Sequence, residues 1–112
     1  MNIQVYFTPI FNKKFKRYKK KYQSFESDLK LFIDNISNTK SIDLGGGVYK
    51  YRLSVKSKNK EKSGGLRIVS FEILVTERQK NIILLTIYDK SEQSSISKKE
   101  IAAILKVEGL LN

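Results

Sequence analysis

The chain contains no histidine and no cysteine, and it carries only 11 acidic residues against 22 basic ones. Without cysteine there is no disulfide framework. Without histidine or cysteine a zinc site would need carboxylates alone, so no metal or cofactor is expected. No stretch approaches the 18 or so consecutive apolar residues of a transmembrane helix, so no membrane partner is expected. The N-terminus opens directly on a strand-like pattern, Ile3-Val5-Phe7, and lacks the apolar core of a signal peptide. These absences lead to the expectation of a soluble cytoplasmic protein. They also restrict any chemistry to cations, hydroxyls and carboxylates.

What is present is positive charge. A net charge of +11 on 112 residues repels itself and favours a polyanionic partner such as nucleic acid. The length fits one domain, residues 1–112, and 40% apolar residues suffice for one core.

The cations gather in two places. The first is residues 13–21, where Lys13, Lys14, Lys16, Arg17, Lys19, Lys20 and Lys21 lie opposite an apolar stripe of Phe11, Phe15, Tyr18 and Tyr22 at helical spacing. No acid interrupts this run, so pairs at i,i+4 do not account for it, and contact with a phosphate backbone is the functional reading. Lys13, Arg17 and Lys20 are the candidate contacts. The second place is residues 50–67, where Lys50, Arg52, Lys56, Lys58, Lys60, Lys62 and Arg67 put seven cations into eighteen residues, with Glu61 the only acid. Gly64 and Gly65 would allow a ligand to approach backbone N–H groups. Arg67 would be delivered to the mouth of a strand, where a guanidinium grips phosphate in bidentate fashion. Phosphate is therefore the expected target. Tyr88, Lys90, Glu92 and Gln93 follow an apolar run and are candidates if that strand lies beside the Arg67 strand.

The pattern predicts a strand over residues 2–8, then a helix capped by Thr8 with Pro9 at its first position. Ser24 is positioned to cap a second helix with the stripe Phe25, Leu29, Phe32, Ile33 and Ile36, giving a helical hairpin. Gly45-Gly46-Gly47 reads as a loop. Three strands are predicted over 48–55, 66–75 and 81–88, the last two joined by a short hairpin. Ser97 and Glu100 form a capping-box pattern ahead of a final helix with Ile101, Ile104 and Leu105 inward. The expected fold class is α+β, with an N-terminal strand and helical hairpin packed on a mainly antiparallel four-stranded sheet, plus a C-terminal helix.

Tyr49-Lys50, then Ser57-Lys58-x-Lys60-x-Lys62, then Ser63-Gly64-Gly65-x-Arg67, then Leu84-Leu85-Thr86-Ile87-Tyr88-x-Lys90-x-Glu92 together resemble the RelE/ParE superfamily of toxins from type II toxin–antitoxin systems. The resemblance is strongest to its HigB-like branch and extends roughly from Ile3 to Leu105. It implies a RelE-like fold and a metal-independent endoribonuclease. Such toxins enter the ribosome and cut translated mRNA by attack of a ribose 2′-OH on the adjacent phosphate, leaving a 2′,3′-cyclic phosphate and arresting growth. It also implies a cognate antitoxin, typically of helix-turn-helix type in this branch, with DNA reached only through that partner. Carried over by position, Arg67 stabilises the scissile phosphate, Lys50 and Arg52 match base or charge-stabilising positions, Lys58, Lys60 and Lys62 match the branch's longer basic loop, and Lys90 matches a lysine after the last long strand. Base or charge roles are then expected of Lys50, Lys58 and Lys60, an acid or leaving-group role of Lys90, and substrate contacts of Arg52, Lys56, Lys62 and Tyr88. Ser91 and Ser97 stand where the founding RelE toxin has an arginine and a tyrosine. A gyrase-targeting ParE-like toxin and a non-catalytic RNA-binding module are the alternatives on the same fold.

Overall fold

Thr8 is where the chain changes from strand to helix. Its hydroxyl accepts the Phe11 N–H at 3.0 Å, as an N-cap does, and donates to the carbonyls of Leu84 and Leu85 across the molecule. One side chain thus starts a helix and fixes it to the sheet. The computed structural model describes residues 1–58 and 65–110. Within them the elements are β1 (Asn2–Phe7), α1 (Pro9–Lys21), α2 (Phe25–Asp34), β2 (Ser41–Gly45), β3 (Val48–Leu53), β4 (Leu66–Thr76), β5 (Gln79–Asp89) and α3 (Lys98–Val107). Short 3-10 turns occupy Ile36–Asn38 and Lys56–Lys58.

The strands form one sheet in the order β1-β5-β4-β3-β2. Only the β1–β5 pair is parallel. The sheet therefore has five strands where the sequence pattern suggested four. The addition is β2, a short edge strand with a half-polar sequence. Its turn into β3 is tight, and Gly46 and Gly47 supply positive φ values of 62° and 84°, which such hairpins require.

Alternation along the strands divides the core between two faces. On one, Phe11, Tyr18, Phe25, Leu29 and Phe32 of the helical pair pack on Leu66, Ile68, Leu84 and Ile87. On the other, Ile101 and Leu105 of α3 pack on Val48, Val69, Leu85 and Tyr88. The short α3 covers the β2–β3 hairpin at Leu44 and Val48 and leaves the stretch around Lys50, Arg52 and Arg67 open. Ser97 caps α3 by accepting the Glu100 N–H at 3.0 Å. Ser24 stands at the N-cap position of α2 without capping it: its hydroxyl donates to Asp28 at 2.6 Å and accepts the Ser57 N–H at 2.8 Å. Asp28 also accepts the Lys56 N–H at 3.0 Å, so α2 holds the turn that follows β3.

Candidate active site

The open part of the second face is where the cations meet. In the register of the sheet Arg52 lies opposite Arg67, and Arg67 lies opposite Tyr88. Lys50 lies opposite Val69 on one side and Ile42 on the other. Partners in register share a face, so Lys50, Arg52, Arg67 and Tyr88 project to the same side. Adjacent strands are about 4.8 Å apart, which brings the three cations close together. Two arginines directly opposite one another repel. The buried residues on the reverse of these strands, Tyr51, Leu53, Leu66 and Ile68, hold the pair in place.

A groove of about 310 Å³ runs over these residues, with Lys40, Lys50, Arg52 and Arg67 as its basic lining and Ile42 as an apolar edge. No acidic side chain is among its described lining residues. Lys40 was not anticipated from the sequence. It enters because β2 pairs with β3, and the signal that could have revealed it was the Gly-Gly pair flanked by two short alternating segments. Arg67 is half-buried and also donates to the Leu66 carbonyl at 3.3 Å.

Tyr88 is 2% exposed under α3, and its hydroxyl finds no hydrogen-bond partner among the described residues. Burial pushes its phenol up, Arg67 nearby works in the opposite sense, and Glu100 adds to the rise. It therefore remains a neutral O–H beside the guanidinium of Arg67.

The remaining candidates lie elsewhere. Lys58, expected among the catalytic lysines, has a side chain only 2% exposed, with its ammonium 3.6 Å from the buried Asp89 and over the ring of Tyr22. Asp89 also accepts the Tyr22 hydroxyl and both the N–H and hydroxyl of Ser91. Burial opposes ionisation of Asp89, but hydrogen bonds from Tyr22 and Ser91 and the charge of Lys58 prevail and hold it below the usual carboxylate range. This is a supporting network rather than an open face. Lys56 is exposed beside a shallow depression it shares with Arg52, and Lys90 is exposed in the turn after β5. Lys60 and Lys62 lie outside the described residues, as does Gly64. Gly65 has φ +80°, and its close approach is to the backbone of Leu53 rather than to a ligand.

On α1, Lys13 and Lys20 are exposed. Arg17 is paired with Glu92 at 2.6 Å, and Lys21 with the same carboxylate at 3.0 Å. Glu92 also accepts the Tyr18 hydroxyl at 3.2 Å. Part of the basic run is therefore neutralised by an acid some seventy residues away, which i,i+4 spacing does not reveal. Glu92 is held low chiefly by the hydrogen bond from Lys21, with burial opposing and Arg17 assisting. Lys14, half-buried, is lowered by burial, while Glu100 raises it. No cluster of three or more acidic side chains capable of holding a metal ion occurs among the described residues. None of the described helices is long and apolar enough to cross a membrane.

The arrangement can bind a phosphodiester on a cationic floor. No curated protein matches the chain at a significant level. A family model, described as the RelE toxin of the RelE / RelB toxin-antitoxin system, matches residues 8–111, nearly the whole length. The chain belongs to the RelE family of toxins from toxin–antitoxin systems.

Proposed function

We propose that this toxin is a metal-independent endoribonuclease of the HigB-like branch that cuts translated mRNA on the ribosome. The observation that carries this reading is the cross-strand alignment of Arg52 and Arg67 beside Lys50 and Lys40, in a groove whose described lining holds no acid. Attack of a ribose 2′-OH on its own 3′-phosphate places two negative charges on a phosphorane. The P–O5′ bond then breaks, leaving a 2′,3′-cyclic phosphate. Fixed donors aimed at such charge are worth about 3–4 kcal/mol each. Arg67 is the best placed: half-buried, anchored by its strand and next to Tyr88. Lys50 and Arg52 bind the flanking backbone and add to charge stabilisation. Tyr88 is buried beneath α3 and is not among the groove's described lining residues, so it backs Arg67 rather than contacting the phosphate. Lys90 is retained as the candidate proton donor. Lys58 is left out, because its ammonium is committed to Asp89.

The repelling Arg52–Arg67 pair favours this over a passive basic surface, since a solvated face has no need to set two guanidiniums opposite each other. The partners that follow are the ribosome, its mRNA, and an antitoxin of helix-turn-helix type. Expression of the toxin followed by mapping of transcript 5′ ends tests the reading. New ends confined to translated regions are expected, and Arg67→Ala should abolish them while circular dichroism shows a folded chain. Undiminished cutting by folded Arg67→Ala, or arrest of growth with no new ends, would sink it.

A further inference from the structure

The sheet has a second concavity on the face opposite the cations. It lies where the chain leaves α2 and encloses about 470 Å³, within the range of about 300–1,000 Å³ usual for small-molecule sites. All five strands contribute to its lining: Ile3 from β1, Ser41 from β2, Tyr49 and Tyr51 from β3, Glu72 from β4, and Lys80 and Ile82 from β5. The Glu72 side chain is only 4% exposed. One of its oxygens accepts the hydroxyls of Tyr51 and Ser70, at 2.5 and 3.0 Å. The other meets the Lys80 ammonium at 2.9 Å. Burial, then the hydrogen bond to Glu72, raises the Tyr51 phenol, so it stays a donor and that side of the carboxylate stays occupied.

A carboxylate offers about four acceptor positions, and the three partners among the described residues leave one. That position is on the oxygen shared with Lys80, whose side chain is 34% exposed and has N–H donors to spare. The wall therefore presents an acceptor directly beside a donor, over an apolar floor of Ile3 and Ile82 with the half-buried ring of Tyr49. Each part of this restricts the ligand. The Glu72 carboxylate disfavours an anion such as free phosphate. Lys80 and the net charge of +11 disfavour an amine. A neutral planar molecule with an amino group next to a ring acceptor satisfies both groups, and this is the edge of an amino-bearing nucleobase. Single-stranded bases are commonly held this way, stacked on an aromatic ring with the edge hydrogen-bonded.

We infer that this cleft is a nucleobase pocket, taking the amino edge of an unstacked base on Glu72 and its ring acceptor on Lys80, with the ring against Tyr49. The inference stands apart from RNA cleavage, because the side chains it uses, Tyr49, Glu72 and Lys80, lie on the opposite face of the sheet from Lys50, Arg52 and Arg67, although both concavities reach Ser41 and Tyr51.

Titration of the whole chain with adenosine, followed by amide chemical shifts, tests it. Saturable shifts are expected around Tyr49, Glu72 and Lys80. Purine riboside, which is adenosine without the exocyclic amine, should bind about tenfold more weakly, the effect of losing one hydrogen bond to a charged acceptor. Lys80→Met and Tyr49→Ala, both at partly exposed positions, should each weaken adenosine by about fivefold or more. The ligand comparison leaves the protein intact, so a destabilised Glu72→Gln variant does not decide the matter. Equal binding of adenosine and purine riboside, shifts confined to Lys50 and Arg52, or no saturation would overturn the assignment. None of these outcomes bears on whether the cationic groove cuts RNA.

Discussion

At the end of β5, carboxylates meet cations: Asp89 takes Lys58, and Glu92 takes Arg17 and Lys21. In the groove beside β3, Lys40, Lys50, Arg52 and Arg67 converge with no acid among the described lining residues. In the sequence both groups are simply basic. The fold assigns them opposite work. Charge matched by a buried or half-buried carboxylate fastens elements together, here α1 and the turn after β3 to the end of β5. Like charges gathered on neighbouring strands repel one another, and a bound anion relieves that repulsion.

The comparison breaks most visibly at Asp89. Replacing it with Asn takes a counter-charge from the buried Lys58 ammonium, and loss of one partner of a buried pair costs about 3–5 kcal/mol. Urea denaturation should show this drop. The pH dependence sharpens it. A carboxyl whose folded pKa lies below its unfolded value of about 3.9 contributes stability above that pH, and this is lost as pH falls through the folded pKa. Wild type should therefore lose stability steeply below about pH 4, and Asp89→Asn more gently. Equal acid slopes would show that Asp89 is not the group responsible.

Glu92 gives a smaller effect of the same sign. It is one-third exposed, and Glu92→Gln should cost only about 1 kcal/mol, screened further by salt. The smallest effect has the opposite sign. Arg52→Thr removes a like-charge pair across the sheet and places a β-branched residue on a strand. It should stabilise the chain by about 0.2–1 kcal/mol while weakening RNA binding. A destabilised Arg52→Thr would mean that the groove is an ordinary part of the scaffold.

Much of this was legible from residue order. Thr8-Pro9 and Ser97-x-x-Glu100 marked helix starts because capping is local chemistry. The apolar run at 82–87 marked an interior strand because burial on both faces demands it. Tyr88 stood out as a candidate on the supposition that its strand lay beside that of Arg67, and the register bears out that adjacency. Other features were hidden for equally physical reasons. Ser41–Gly45 is a short edge strand and buries little, so it leaves a weak hydrophobic pattern, and Lys40 was lost with it. Lys58 looked like its loop neighbours until the position of Asp89 was known. Arg17 looked unpaired until Glu92 came round to it.

The sequence alone determined the strong positive charge, the lack of histidine and thiol chemistry, and the α+β order of elements. Composition and local periodicity set these, and folding does not change them. Only the tertiary structure decided which cations meet Asp89 and Glu92 and which converge in the groove. Ion pairing falls off within a few ångströms, and the distances between Lys58 and Asp89, or between Arg52 and Arg67, are set by strand register and helix packing rather than by position along the chain.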